Sequence, residues 1–249
     1  MEKRIIARGL LAGAIASVAA FVFARTFVEP TIDRAIAFEE AHAGGHDHGV
    51  ELFTRGVQAN IGMGFGVLAF GLAMGALFAV AYCVVYGRVG SLSPRVLSVV
   101  LAGGMFWSLY VIPFLKYPAS PPTVSLDETI RQRTLLYLMM VVLSVVLLAA
   151  AVWLGRNLLE RFGAWSASLI AAAAYVVAIA LVMMVLPTID EIPEGFPAQV
   201  LYEFRLYSLG TQVVMWAVIA VVFGSAVHRL LDESPPRESY LAARAPSNE

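Results

Sequence analysis

Three of the four histidines in this chain fall within seven residues, in the window His42-Ala-Gly-Gly-His46-Asp47-His48. Imidazole is the usual nitrogen ligand for zinc, copper, nickel and cobalt, and a Gly-Gly pair lets the backbone fold several rings around one ion. A short helix predicted just upstream would place Glu39 on the same face as His42, three residues away. Together with the Asp47 carboxylate, these side chains predict a mixed nitrogen and oxygen site for a divalent cation.

The same window also fits a second interpretation, a solvated tract that binds nothing. Short biased segments rich in glycine and charge often stay disordered, because they have no apolar surface to bury. The spacing of the ligands does not identify the metal, since cobalt and nickel accept similar ligand sets. The fourth histidine, His228, stands beside Arg229 at the end of an apolar stretch and is expected to be an ordinary helix-end cation.

The elements that must position this window are strongly apolar. Hydrophobic residues make up 59% of the 249 and charged residues only 14%, whereas a soluble domain has about 25% charged residues. The composition therefore predicts an integral membrane protein. A net charge of −1 leaves no basic surface for a phosphate backbone, which excludes nucleic acid as a partner. The single cysteine, Cys83, excludes an intrachain disulfide and a four-cysteine zinc site.

A helix needs roughly 20 apolar residues to cross a bilayer core about 30 Å thick. Six stretches meet this requirement, at residues 5–28, 61–85, 96–114, 135–154, 167–186 and 209–227. The first is longer than the roughly 7–15 apolar residues of a signal peptide, so we expect an uncleaved anchor. The sequence thus predicts an all-α, polytopic membrane helix bundle of about six spans over residues 1–231. A short cytoplasmic tail, expected to be disordered, would follow at 232–249.

The loops between these stretches form two sets of opposite charge. With six spans, the set that includes both termini holds ten Lys and Arg against six acidic residues, and the other set holds seven against twelve. The positive-inside rule places the basic set, and therefore both termini, in the cytoplasm. Ionisable groups near a span mark ion paths by default, although they can also simply cap helix ends. The polar candidates on the opposite, outer side are Glu29, Asp33, Asn60, Lys116, Glu203, Arg205 and Gln212.

The second apolar stretch contains two pairs of glycines spaced four residues apart, Gly62 with Gly66 and Gly71 with Gly75. Small residues at this spacing let two membrane helices approach closely. We therefore expect both pairs to lie in helix contacts. The alternative is a pore-lining role in which backbone carbonyls of this stretch bind the ion.

Four blocks of the chain form a recognisable series. They are Phe-Val-Glu-Pro-Thr-Ile-Asp-Arg-Ala at 27–35, the glycine-rich stretch, Leu-Lys-Tyr-Pro-Ala-Ser-Pro-Pro at 115–122, and 186–208 with its Glu-Phe-Arg-Leu-Tyr-Ser. Taken in this order, they resemble the CbtA family of predicted cobalt transporter subunits. The likeness covers nearly the whole chain. The positions that match its motifs, without assigned roles, are Glu29, Asp33, Lys116, Tyr117, Pro118, Glu203 and Arg205.

The resemblance implies a multi-pass protein of a bacterial or archaeal cytoplasmic membrane that takes up cobalt for cobalamin synthesis. It also implies a small, single-span, His-rich partner of the CbtB type. We expect a non-enzymatic subunit with no permanently bound cofactor, which captures cobalt, or alternatively nickel, at the histidine loop and passes it inward.

Two other classes stay open. One is a membrane-embedded enzyme acting on a lipid or envelope substrate, and the other is an assembly subunit that never contacts the ion. The chain lacks a P-loop lysine, H-E-x-x-H and G-x-S-x-G, so the common ATPase, metalloprotease and esterase motifs are absent from it.

The charge distribution generates a topology prediction. Reporter domains fused after Glu249 or inserted at Pro94 should be cytoplasmic, and one inserted near Gly45 should be external, because the two loop sets carry net charges of +4 and −5. Accessibility of each reporter to a membrane-impermeant label measures this. An externally labelled C-terminus would show that a span was miscounted or that the first was cleaved.

Overall fold

The computed structural model describes residues 2–42, 54–90, 92–122, 127–189 and 191–232, and the regular secondary structure in these ranges is helical. Three short π-helical turns, at Ala24–Val28, Gln58–Gly62 and Trp107–Val111, join neighbouring α-helices without a break in the helical chain. The α-helices are α1 Glu2–Phe23, α2 Glu29–His42, α3 Arg55–Val57, α4 Met63–Val85, α5 Pro94–Phe106, α6 Ile112–Lys116, α7 Asp127–Val185 and α8 Ala198–Asp232.

In the described ranges, five helices are long and apolar enough to cross a membrane. This confirms the predicted all-α membrane bundle, whereas the number of crossings and the side of the termini stay predictions. The five helices are Glu2–Ala41, Arg55–Val85, Pro94–Lys116, Thr129–Val185 and Ala198–Leu231.

The fourth of these helices contains two of the six predicted stretches, because α7 reverses at Gly163. That glycine has φ 73° and ψ 165°, a backbone conformation that glycine adopts without the strain of a side chain. The hydroxyls of Ser144 and Tyr175 lie 2.9 Å apart, whereas a straight helix would separate these residues by about 46 Å. The arms 127–162 and 164–185 therefore lie side by side. A loop expected between the two stretches is instead helical up to Gly163 and beyond it.

The closest helix contact joins α1 and α4, which run antiparallel. A methyl group built on Gly75 would lie 2.2 Å from the carbonyl oxygen of Gly9, and one on Gly71 would lie 2.0 Å from Ser17 Oγ. No side chain fits at these positions. The small residues therefore allow the two backbones to touch. The van der Waals packing that results favours helix association inside a membrane.

Only one of the two glycine pairs in α4 and its preceding π turn makes the predicted contact. Gly66 has no atom within 4 Å of a built methyl group, and the nearest atom at Gly62 is the carbonyl oxygen of Val57 at 3.8 Å. The prediction was right for Gly71 and Gly75 and wrong for Gly62 and Gly66. Both of the latter are exposed on the other side of the helix, away from α1.

Two apolar clusters hold the long helices together. The larger one joins α1, α4, α5 and α8 around Phe78, Tyr82 and Phe223, and the Ser98 hydroxyl donates to the Ala220 carbonyl at 2.9 Å. The smaller one joins the α7 arms to the third helix through Ile112. The hairpin formed by α7 is thus a separate lobe on a four-helix core.

The glycine contact generates a prediction with a matched control. Gly71→Leu should lower the amount of assembled protein in the membrane several-fold, because the side chain would force α1 and α4 apart, whereas Gly66→Leu should leave it unchanged. Quantitative immunoblots of the membrane fraction measure both. Equal losses for the two variants, or a normal amount of Gly71→Leu with altered metal preference, would contradict the packing role.

Candidate functional site

A buried carboxylate marks one end of the bundle, here called the Glu29 end. Glu29 opens α2 and is 3% exposed, and its carboxylate accepts a hydrogen bond from the guanidinium of Arg55. The same guanidinium donates to Asp33 at 3.1 Å. A buried charge is costly unless it is paired, so Arg55 is required to keep Glu29 ionised inside the protein.

A cleft of about 580 Å³ opens beside this pair, between α2 and the segment that begins α4. Its polar lining combines two carboxylates, one guanidinium and one amide, from Glu29, Glu39, Arg55 and Gln58. Carboxylate and amide oxygens are suitable ligands for hard and borderline divalent cations. The cleft is thus wide enough for a partly hydrated ion and offers it oxygen ligands.

The backbone around the cleft is wound into π turns on both sides. Ala24–Val28 precedes Glu29, and Gln58–Gly62 follows Arg55. The two turns are joined by Arg25, whose Nε donates to Asn60 Oδ1 at 3.1 Å. Single π turns inside helices are frequent at functional sites. The two π turns therefore flank the ion pair of Glu29 and Arg55 and are linked to each other by a hydrogen bond.

A second polar network fixes the loop that follows α6. Arg133 on α7 donates to Glu191 at 2.9 Å and to the carbonyl of Pro118. Arg205 on α8 donates through Nε to the carbonyl of Ala119 at 3.2 Å. Two guanidinium groups from different helices therefore hold the same short segment of loop.

Tyr117 adds a further hydrogen bond to this network. Its hydroxyl donates to the carbonyl of Pro187 at 2.8 Å, which ties the loop after α6 to the loop after α7. Burial raises the pKa of the Tyr117 hydroxyl, so the group stays protonated and remains a donor. The Tyr-Pro motif is thus a structural joint between two loops.

A third contact joins α2 to α8. Arg34 donates to the carboxylate of Glu203, and Gln199 donates to the same carboxylate at 2.9 Å. Each of the four blocks that carry the family resemblance therefore contributes residues to the cleft or to the contact between Arg34 and Glu203.

The histidine window lies almost wholly outside the described residues. This is the case for His46, Asp47 and His48, and of His42 only the backbone is described, as the last residue of α2. Glu39 is exposed on α2 and lines the cleft. Within the described ranges no three His, Cys, Asp or Glu side chains are grouped for a metal. The five-residue metal site stays a prediction.

The remaining predicted positions are Asn60, Lys116 and Gln212, and only Asn60 lies beside the Glu29–Arg55 pair. Asn60 donates through Nδ2 to the Gly56 carbonyl at 2.8 Å. Lys116 is half-buried at the end of α6. Gln212 is half-buried on α8, about 13 Å further along the axis than Glu203. Of the predicted positions, Glu29 therefore lines the cleft, and Asp33 is joined to it through Arg55. Asn60 is held beside it by Arg25, and Gln212 lies away from it.

The arginine partners of the buried carboxylates were not predicted from the sequence. Arg55 pairs with Glu29 across 26 positions, and Arg133 pairs with Glu191 across 58. The available signal was a position shortly before an apolar stretch, because Arg55 lies six residues before the second and Arg133 two before the fourth. That signal identifies candidate cations but does not assign them to a carboxylate.

The fold and this polar end define a multi-pass membrane protein. The chain belongs to the CbtA family, whose family model, described as "Probable cobalt transporter subunit (CbtA)", matches residues 2–228. It is therefore a membrane transporter subunit, as the motif blocks predicted. Comparisons with curated proteins and with solved structures found no match.

The buried ion pair generates a stability prediction. Arg55→Gln should destabilise the protein by about 3 kcal/mol, the lower end for breaking a buried pair, because it leaves the Glu29 carboxylate unpaired while Arg55 itself is 37% exposed. Adding Glu29→Gln should restore part of the loss. Thermal unfolding of the purified variants in detergent measures both effects.

Arg34→Gln is the matched control, because it removes the guanidinium from the more exposed Glu203. It should shift the unfolding temperature much less than Arg55→Gln. Equal shifts, or no recovery in the Glu29→Gln/Arg55→Gln double variant, would contradict the importance of burial at Glu29.

Proposed function

We propose that this chain is the ion-capturing membrane subunit of a divalent cation uptake system, with cobalt as its cargo and nickel as the alternative. The cation is cargo and not a resident cofactor, and the role is binding and translocation, not catalysis. The observation that carries the proposal is the cleft at the Glu29 end, which is lined by the buried carboxylate of Glu29 and the exposed residue Glu39.

The position of the histidine window relative to the cleft supports capture followed by transfer. The window begins at His42, the last residue of α2, and α2 begins at Glu29, about 20 Å away along the axis. The chain returns at Arg55, whose guanidinium binds Glu29. A cation held by His42, His46, Asp47, His48 and Glu39 would therefore lie between two residues that line the cleft, Glu39 before the window and Arg55 after it.

A cation that enters the cleft can replace Arg55 as the positive partner of Glu29. Without a cation, its guanidinium neutralises Glu29, and its buried Nε has no hydrogen-bond partner among the described residues. A divalent cation entering the cleft would take over the neutralising role, and the partly exposed Arg55 side chain would move aside. Such a site binds the ion without holding it permanently, as translocation requires.

The apolar core beneath the cleft is the reason to propose a partner. The core of α1, α4, α5 and α8 is built around Phe78, Tyr82 and Phe223, which offer a cation no strong ligand. We therefore assign the rest of the path to a second subunit, a small, single-span, His-rich protein of the CbtB type. The assembly would lie in a bacterial or archaeal cytoplasmic membrane with the cleft facing outward.

Reconstitution tests this function against its rivals. The purified chain is placed in liposomes with and without the partner, and Co²⁺ and Ni²⁺ flux are measured. Flux that needs both proteins and falls with Glu29→Gln supports ion capture by this chain. Flux that is insensitive to every variant at the cleft would favour an assembly subunit. Loss of a lipid-linked product on deletion, with metal uptake intact, would favour an enzyme.

The histidine window generates a prediction about scarce metal. Replacing His42, His46 and His48 together with Ala should weaken uptake when Co²⁺ is limiting and leave uptake at abundant Co²⁺ largely intact, because the loop raises local occupancy and adds little to the fold. Capture should also fade below roughly pH 6, since imidazole must be neutral to bind a metal and its ordinary pKa is about 6.5.

His228→Ala is the control, because His228 lies near the far end of α8 and not in the window. Single replacements in the window should cost less than the triple, since Asp47 and Glu39 remain. Normal uptake of limiting Co²⁺ and Ni²⁺ by the triple variant would identify the window as a solvated tract and leave the cleft as the site.

A further inference from the structure

An apolar groove of about 400 Å³ runs along the α7 hairpin, at a distance from the Glu29 end. It lies between the two arms of α7 and the π turn that begins at Trp107. Its walls include Leu148, Val152 and Ala172, and its polar lining is small. All three residues belong to predicted membrane-spanning stretches, so the groove lies at the level of the acyl chains if these stretches cross the bilayer.

Tyr175 lines the groove, and its hydroxyl does not need a polar ligand there. The Tyr175 hydroxyl lies 2.9 Å from Ser144 Oγ and is satisfied by that hydrogen bond. Leucine, valine and alanine form most of the remaining surface, which a hydrocarbon chain can cover by dispersion and exclusion of solvent. The groove is thus chemically suited to an acyl chain.

One end of the groove is basic. Arg156 lines it, and Arg156 Nη1 donates to the backbone carbonyl of Arg88 at 3.1 Å, whereas the guanidinium of Arg88 donates to the Val84 carbonyl. In the part of the chain that the structure describes, neither takes part in a salt bridge. The segments 87–95 and 155–166 together contain four arginines and one acidic residue, Glu160.

An exposed tryptophan lies on each arm of α7, on the side of the groove towards Gly163. Trp153 is 66% exposed and lies three residues before Arg156, and Trp165 is 78% exposed and lies two residues after Gly163. Exposed tryptophans with this placement are typical of the membrane–water interface, where the ring contacts acyl chains and the N–H meets water. The tryptophans therefore support an interfacial position for the basic end of the groove.

We propose that this groove is a binding site for one anionic phospholipid. An acyl chain lies between the arms of α7 and Trp107, and the phosphate binds the guanidinium of Arg156. Basic pockets between membrane helices are suited to anionic head groups, and guanidinium is the preferred partner of phosphate. The site is separate from the cleft, and it does not depend on the metal proposed there.

Native mass spectrometry of the full-length protein in detergent tests the proposal. The probes are dioleoyl phosphatidylglycerol, dioleoyl phosphatidylcholine and inorganic phosphate. We expect one phosphatidylglycerol to bind at least fivefold more tightly than phosphatidylcholine, and inorganic phosphate not to displace it. Arg156→Gln should weaken phosphatidylglycerol roughly fivefold, whereas Arg161→Gln, which removes an equal charge outside the groove lining, should change it less than twofold.

A second variant tests the acyl chain independently of charge. Ala172 is exposed in the groove, so Ala172→Phe should fill it without disturbing the core and should weaken both lipids. Equal affinity for the two lipids, equal effects of Arg156→Gln and Arg161→Gln, or undisturbed binding to Ala172→Phe would each overturn the proposal. A photo-crosslinker at position 172 that captured a polypeptide instead of a lipid in native membranes would also overturn it.

Discussion

The contact between the backbones of α1 and α4 determines where the polar groups of this protein can meet. Gly9 lies against Gly75, and the chain continues in opposite directions from that point. Glu29 lies twenty residues beyond Gly9 and Arg55 twenty residues before Gly75, so the antiparallel register brings the two charges together. Water is absent from the bilayer core, so contact between small residues is what sets this register. The ion pair is thus a consequence of the glycines.

The helical architecture could largely be predicted because long apolar segments have only one stable backbone conformation in a membrane. Each of the six apolar stretches lies in a helix. The local errors have physical reasons. The segment on either side of Gly163 is polar, as a loop is, yet one glycine is enough to reverse the helix. Equal spacing could not tell Gly71 from Gly66, because only packing decides which side of α4 meets α1.

The carboxylates of the candidate site could be predicted from the sequence, but the arginines that pair with them could not. Glu29, Asp33 and Glu203 stand out because charge beside an apolar stretch is costly. Their partners stay hidden, since Arg34 lies 169 positions from Glu203 and no local rule joins them. Tyr117 and Arg205 were recognised as motif positions, and their shared task of holding the loop after α6 depends on contacts that sequence does not encode locally.

The hairpin at Gly163 also constrains how this molecule can move. Its arms are joined through a single non-helical residue and linked by the Ser144–Tyr175 hydrogen bond, so they cannot shift independently. The lobe meets the four-helix core mainly through the third helix and through the loop held by Arg133 and Arg205. Any movement of the lobe relative to the core would therefore have to change the contacts at the third helix or at the Pro118–Ala119 segment.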